Sequence, residues 1–168
     1  TAAVCGDFES RDSEDYPISY RYYGAFCAAD EAALEERVLS PTPLYYGLWA
    51  FRQVPTGRFL DVDLPDSLLD RLRAHAVRGE RGTLTMVLVN VQDPADAEST
   101  DVRVTVNLPA SYEKGRSVTL RSSAPEGLAS VDAGRITLGG QTVTPGGVPS
   151  GTPEATTVPV DGRTSTVT

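Results

Sequence analysis

The chain has 168 residues, with 15 basic and 23 acidic side chains and a formal net charge of -8. This balance gives no electrostatic attraction to nucleic-acid phosphates or anionic lipid, and no apolar run approaches the roughly 18 residues that a membrane span needs. We therefore expect no nucleic-acid or membrane partner, and a length that suits one domain or one domain plus a remnant.

The first 29 residues contain both cysteines and no clean helical or strand periodicity. Residues 1–4 fit the end of a strand, and residues 5–29 fit a loop. In a secreted protein the spacing of Cys5 and Cys27 favours a disulfide worth about 3 kcal/mol, whereas two buried free thiols are the alternative. We predict the disulfide.

Five carboxylates in the same loop are candidates for a cation site. They are Asp7, Glu9, Asp12, Glu14 and Asp15. Their spacing lacks the glycine-anchored pattern of a calcium loop, so we predict a solvated acidic loop and no metal site.

The loop also carries an aromatic cluster, formed by Tyr16, Tyr20, Tyr22, Tyr23 and Phe26. Sugar rings stack on aromatic faces, and aromatic side chains also pack a loop on its own helix. Both roles stay open for the cluster, and Tyr20, Tyr22 and Tyr23 are the candidate substrate-binding residues.

Two helices are predicted next. Asp30 is the N-cap of a run from 31 to 39, and Thr42 with Pro43 opens a second helix that reaches residue 54. The second helix has a broad apolar face that needs something large to pack on. That partner is the β region or a larger body outside it; otherwise the face is an exposed patch. That face carries Leu44, Leu48 and Phe51, with Tyr45 and Trp49 beside it. Helical spacing predicts core positions for Tyr45, Tyr46 and Trp49.

From residue 55 onward the sequence is typical of β structure. Alternating apolar residues predict strands at 58–64, 83–91, 102–108 and 117–120. Glycine and proline positions predict a strand at 136–143 that is broken by a Gly-Gly turn, a loop at 145–153, and a final hairpin that turns at Asp161-Gly162. The segment 67–77 fits either a helix or a strand. About seven or eight short strands with polar turns predict a mainly β fold: a two-layer antiparallel β-sandwich with one or two N-terminal helices.

The order of five motifs resembles the carboxyl-terminal region of glycoside hydrolase family 79, the heparanase and β-glucuronidase group. The motifs are TPLYYGLWAF (42–51), TGRFL (56–60), AHAVR (74–78), LTMVLVN (84–90) and ITLGGQTV (136–143). Family members usually show Ala-Tyr-Ala-Val in place of Ala-His-Ala-Val. The resemblance implies that residues 72–78 form a strand.

In that family the closing helix of a (β/α)8 barrel runs into a β-sandwich. The resemblance thus implies that residues 1–54 are a remnant of the last β/α unit and that residues 55–168 are the sandwich domain. The two catalytic glutamates of the family lie on barrel strands four and seven, which would precede Thr1. No residue of this chain inherits either role, so no catalytic residue is predicted.

No other cofactor or nucleophile pattern stands out in the sequence. His75 is the only histidine, and we predict it to be an exposed or half-exposed strand residue, because zinc sites and catalytic triads need further ligands or partners. No phosphate loop or dinucleotide fingerprint occurs, so no cofactor is predicted.

Two functions follow. The first is a noncatalytic C-terminal β-sandwich of a secreted glycoside hydrolase, with the catalytic barrel of the parent chain as its partner and with no activity of its own. The alternative is a stand-alone carbohydrate-binding or adhesion module, whose partners would be glycans and whose tyrosines would be exposed.

Overall fold

The computed structural model of the chain describes residues 24–94, 96, 101–125, 127–129 and 133–167. Within these residues the chain is mainly β, with two α-helices near the start followed by antiparallel strand pairs. The predicted mainly β, sandwich-like fold with N-terminal helices is therefore confirmed.

The helices are α1 (Glu31–Glu35) and α2 (Pro43–Arg52), and 3-10 turns cover Asp66–Leu68, Glu80–Gly82, Gly127–Ala129 and Ala133–Arg135. The strands in chain order are β1 (Phe26–Cys27), β2 (Ser40–Pro41), β3 (Gly57–Leu60), β4 (Leu72–Gly79), β5 (Leu84–Asn90), β6 (Val104–Asn107), β7 (Gly115–Ser117), β8 (Leu120–Ser122), β9 (Ile136–Leu138), β10 (Thr142–Val143), β11 (Pro149–Ser150), β12 (Thr156–Val158), β13 (Val160–Asp161) and β14 (Thr164–Val167). They form the sheets β1-β2, β3-β4-β5, β13-β14-β6, β12-β7, β8-β9 and β10-β11.

Helix α1 is short because a left-handed residue closes it. The Asp30 carboxylate accepts a hydrogen bond from the backbone N–H of Ala33 at 2.8 Å, which confirms the predicted N-cap. At the other end Arg37 has φ 59°, and the N–H of Val38 donates to the carbonyl of Ala33. These contacts form a Schellman motif, which ends the helix one turn earlier than the sequence predicts.

The ambiguous segment 67–77 becomes a strand from Leu72 onward, which confirms the strand interpretation. β4 pairs with β3 on one side and with β5 on the other, so it is the central strand of the sheet. His75 lies opposite Val87 in this register and is exposed, as predicted.

Two strand predictions in the C-terminal half are wrong. The single strand expected at 117–120 is two strands, because β7 pairs with β12 whereas β8 pairs with β9. The stretch 145–153, expected to be a loop, contains β11, which pairs with β10. Each strand is two or three residues long, too short for an alternating pattern to reveal it.

The final hairpin exists, but its turn is shifted by one residue. Asp161 pairs with Thr164, so the two central residues are Gly162 and Arg163 rather than Asp161 and Gly162. Only Gly162 has a positive φ of these two, at 58°, which is the type II′ pattern. β12 does not join this hairpin, because Pro159 follows it and has no backbone N–H to donate.

The main core lies between α2 and the strands β8 to β10. Tyr46, Ile136, Leu138 and Val143 form its buried cluster, and Tyr45, Trp49, Ala50 and Leu120 pack around them. Helix α2 therefore shares a core with strands near the other end of the chain. The division into residues 1–54 and 55–168 stays a prediction.

The predicted Gly-Gly turn after β9 is confirmed, and its first residue is sterically constrained. Gly139 has φ 53°, and a Cβ there would lie 2.7 Å from the backbone oxygen of Glu154. Gly82 also has a positive φ, 75°, but open space around its Cβ position. The two glycines thus separate the cost of a left-handed backbone from the cost of a clash.

We predict that Gly139→Ala lowers the free energy of unfolding by about 1 to 2 kcal/mol more than Gly82→Ala does. Both alanines bear the left-handed strain of about 1 to 2 kcal/mol, and only the first also clashes with backbone. Urea unfolding of the two variants beside the parent chain measures the difference. Equal losses would contradict the tight approach of Glu154 to this turn.

Candidate functional site

Helix α2 has two faces with different surroundings, and its inner face is centred on Tyr46. The Tyr46 side chain is fully buried, and its hydroxyl oxygen accepts a hydrogen bond from the backbone N–H of Val143 at 2.8 Å. The N–H of Val143 is thereby paired although it belongs to a strand end, and the helix is fixed to β10 at one point.

The aromatic neighbours of Tyr46 extend this contact along the helix. The ring of Tyr45 lies edge-on to that of Tyr46 at 6.1 Å between centroids, and Trp49 lies 6.2 Å from Tyr46. Phe26 lies 4.9 Å from Tyr45 in a tilted arrangement. These distances fall in the range of favourable aromatic pairs, so the predicted core role of Tyr45, Tyr46 and Trp49 is confirmed.

Burial changes the acidity of the Tyr46 hydroxyl. Removal from water raises the pKa of Tyr46 above its usual value of 10.0, and the neighbouring Tyr45 raises it further. The hydrogen bond from Val143 acts in the opposite direction and lowers the pKa, but burial is the largest effect. The folded protein therefore favours the neutral hydroxyl.

The start of α2 is tied to the segment before α1. Thr42 occupies the N-cap position, as predicted, but its side chain does not cap the helix. Its hydroxyl donates to the carbonyl of Gly24 at 2.8 Å, and its N–H donates to the carbonyl of Ala25 at 3.0 Å. Pro43 at the first helical position has no N–H to satisfy, which reduces the need for a side-chain cap.

The outer face of α2 is apolar and exposed. Leu44, Leu48 and Phe51 lie along one side of the helix at spacings of four and three residues, with 44%, 55% and 71% of their surface exposed. No described residue covers these side chains to the extent expected of a core position. The sequence left open whether the β region or a larger body covers this face, and within the described residues the β region leaves it exposed.

A second feature is an open depression of about 450 Å³ between two turns. One wall is the β4-β5 turn with Arg81, Gly82 and Thr83, and the other is the loop from Ala110 to Lys114. Neither Arg81 nor Lys114 forms a hydrogen bond or an ion pair with any residue that the structure describes.

The predicted site residues in the N-terminal loop lie outside the described residues. They are Tyr20, Tyr22, Tyr23 and Cys5, together with the five acidic residues between 7 and 15. Cys27 is described: it is buried and disulfide-bonded. Its pairing with Cys5 and the substrate-binding role of the tyrosines stay predictions.

Two kinds of feature are absent from the described part of the chain. It contains no group of three or more His, Cys, Asp or Glu side chains that could hold a metal ion. Among the described residues, no helix is long and apolar enough to cross a membrane.

Sequence reasoning missed the depression. Lys114 stands out as the only lysine, but nothing in the sequence indicates that it lies near Arg81, 33 positions earlier. Arg81 has φ 59°, a left-handed conformation that the sequence would assign to glycine or asparagine. Only the folded structure brings Arg81 and Lys114 to the same depression.

The fold and these surfaces define the class of the chain: a mainly β domain with a helix packed on it by one face. The family model described as glycosyl hydrolase family 79 C-terminal beta domain matches residues 74–168, which is more than half of the chain. The chain therefore belongs to this family, and it is a C-terminal domain of a glycoside hydrolase. No curated protein and no solved structure matches it.

We predict that Tyr46→Phe lowers the free energy of unfolding by about 1 to 3 kcal/mol at neutral pH, because the buried N–H of Val143 loses its acceptor. The pH dependence should also change. The raised pKa of Tyr46 gives stability that is fully present below about pH 10 and is lost as the pH rises through the folded-state value.

Urea unfolding between about pH 7 and pH 11 tests both effects, since the ordinary pKa of a tyrosine in the unfolded chain, about 10, lies within this interval. The parent chain should lose more stability than Tyr46→Phe as the pH rises, so the two curves should converge. Parallel curves would contradict the role assigned to the buried hydroxyl, and equal stability at neutral pH would contradict the importance of its hydrogen bond.

Proposed function

We propose that the chain is the noncatalytic C-terminal β domain of a secreted glycoside hydrolase, and that it packs on the catalytic barrel of its parent chain and stabilises it. Membership in a family of C-terminal β domains supports an adjoining catalytic part. The main support for the proposal is the exposed apolar face of α2, because an apolar face on the outside of a packed helix fits a contact surface between two bodies.

The inner and outer faces of α2 support this arrangement together. The inner face is fixed to the β strands through Tyr46, so the helix cannot turn its outer leucines inward without breaking the core. The outer face consists of three large neighbouring side chains, Leu44, Leu48 and Phe51. They are far more exposed than the core residues of a helix whose apolar face is covered. Such a stripe is typical of a protein interface.

Secretion is supported by the cysteine chemistry. Cys27 is disulfide-bonded, and stable disulfides form in oxidising compartments and are rare in reducing ones. Cys27 lies in β1, which pairs with β2 just before α2. A disulfide at this position would hold the N-terminal segment close to the helix that we propose as the interface.

We predict that Phe51→Ser has little effect on the isolated 168-residue chain and a large effect on the longer parent protein. Phe51 is mostly exposed here, so its loss should change the free energy of unfolding by no more than about 0.5 kcal/mol. Where a barrel covers Phe51, the same change should lower the free energy of unfolding by about 2 kcal/mol, because the buried apolar surface of the ring is lost.

Arg52→Ser is the matched control, because Arg52 is the exposed polar neighbour of Phe51 on the same helix. Thermal or urea unfolding of both variants in both lengths of protein gives the comparison. The proposal requires Phe51→Ser to lower the stability of the longer protein, whereas Arg52→Ser should have a small effect on stability in both lengths. A loss of equal size in the two lengths would show that Phe51 supports only the β domain.

We predict that the isolated chain hydrolyses no glycoside. Retaining hydrolysis needs two carboxyl groups about 5 Å apart on a rigid frame, one of them with a raised pKa. Assays with aryl β-glucuronide and aryl β-glucoside should give the rate without enzyme. Turnover that persists through further purification and disappears on Asp7→Asn or Glu9→Gln would contradict the noncatalytic role.

A further inference from the structure

β3 is an edge strand that the described domain leaves largely uncovered. Within the described residues it pairs with β4 on one side only, and Gly57, Arg58 and Phe59 are all exposed. Neighbouring side chains point to opposite faces of a sheet, so Arg58 is exposed on one face and Phe59 on the other. Phe59 and Phe51 are each 71% exposed, the highest value among the large apolar residues that the structure describes. The chain therefore carries uncovered side chains on both sides of the connection between α2 and β3.

The arginine of β3 lies directly opposite a second arginine. The register pairs Arg58 with Arg78 of β4, and opposite residues of an antiparallel pair have Cβ atoms about 4.5 to 5.5 Å apart on the same face. Among the described strands this is the one register pair in which both residues are charged. A cation that faces a cation sets these two residues apart from the other strand arginines, which lie opposite uncharged residues: Arg73 opposite Val89, Arg116 opposite Thr157 and Arg121 opposite Thr137.

Nothing in the described domain compensates for the charge of this pair. Like charges directly opposite each other destabilise a strand pair, and they do so more strongly in low salt. Neither guanidinium forms an ion pair or a hydrogen bond with a described residue, and Glu80 of the adjoining turn pairs with neither. Threonine or valine would suit either strand position better than arginine does. The pair is thus unfavourable in the domain alone, and a bound anion would make it favourable.

The backbone beneath the pair is closely packed and lies near the end of α2. Gly57 faces Gly79, and a Cβ at Gly57 would clash with the carbonyl of Arg78. A Cβ at Gly79 would lie 3.2 Å from the Cγ of Pro55, which belongs to the connection between α2 and β3. The end of β4 that carries Arg78 therefore packs against the chain that leaves α2, a few residues after Phe51.

A carboxylate is an anion that fits two opposed guanidinium groups. Each guanidinium is a planar fork of N–H donors, and a carboxylate has two oxygens that each accept hydrogen bonds. One carboxylate between Arg58 and Arg78 would replace a repulsion by two charge-assisted contacts. The partner proposed above for the outer face of α2 is the catalytic barrel, which is therefore the body that would bring a carboxylate to this place.

We propose that Arg58 and Arg78 together bind the carboxylate of one Asp or Glu side chain of the catalytic barrel, beside the apolar contact made by the outer face of α2. The inference rests on the proposed function and adds to it the charge that the barrel presents at this place. It involves no chemical step.

The first part of the test uses the isolated 168-residue chain. Arg58→Gln and Arg78→Gln should each raise its melting temperature by about 1 to 3 °C in low salt, because each removes the same repulsion. The double variant should gain less than the sum of the two single gains. Sodium chloride at about 1 M should abolish the gains, since it screens charges that are more than about 3 Å apart.

The second part uses the longer parent protein, in which the sign of the effect should reverse. Each single variant should there lower the melting temperature of the calorimetric transition that includes this domain by at least about 1 °C, because the bound carboxylate loses a partner. Arg121→Gln is the matched control, since Arg121 is an exposed strand arginine opposite the uncharged Thr137. The control should have little effect on the melting temperature of either protein.

Phe51→Ser, measured beside these variants, keeps this inference apart from the proposed function. If Phe51→Ser destabilises only the longer protein while the arginine variants stabilise both proteins, the barrel covers α2 and the carboxylate contact is refuted. If Phe51→Ser has equal effects in the two lengths and the arginine variants show no reversal, both proposals are refuted. A reversal without a specific effect of Phe51→Ser would keep the carboxylate contact and remove Phe51 from the interface.

Two other results would overturn the inference. The absence of any gain in the isolated chain would show that the two arginines do not repel each other. Stabilisation of the isolated chain by millimolar sulfate that Arg58→Gln abolishes, without a reversal of sign in the longer protein, would show a site for free anions instead of a contact with the barrel.

Discussion

The structure depends on the contact between α2 and the strands β8 to β10, and the Tyr46 hydroxyl is the most constrained point of that contact. The ring removes apolar surface from water together with Ile136 and Leu138, while the hydroxyl pairs the N–H of Val143. A phenylalanine would keep the burial and lose the pairing. The contact thus combines apolar burial, which has no preferred direction, with a hydrogen bond that fixes the orientation of the helix.

That orientation determines what the remaining surfaces present. Side chains two positions apart lie on opposite sides of a helix, about 200° around its axis. Because Tyr46 and Trp49 occupy the inner face, Leu48 and Phe51, each two positions after one of them, lie on the outer face. The helix therefore has two apolar faces rather than one, a pattern typical of helices buried between layers. Away from this helix, Arg81 of the β4-β5 turn and Lys114 of the loop 110–114 line an open depression.

The sequence predicted those parts of the fold that follow from periodicity and from glycine or proline positions. Examples are the start of α2 and the turn at Gly139. The strand at 72–79 is a partial case: its pattern also fits a helix, and the resemblance to the family favours the strand. The split of 117–120 into β7 and β8 was not predictable, because β8 pairs with residues 14 to 18 positions away and β7 with residues 39 to 43 positions away. The depression was hidden for the same reason, and so was the left-handed conformation of Arg81.

The separation of Tyr46 from Val143 also has a consequence for the order in which the protein forms. The two residues are 97 positions apart, so at synthesis rates of about 5 to 20 residues per second α2 waits roughly 5 to 20 s for its partner strand. During that interval neither apolar face of the helix has its final cover from this domain. The newly made helix therefore keeps both apolar faces without their cover from this domain until the β strands have been synthesised.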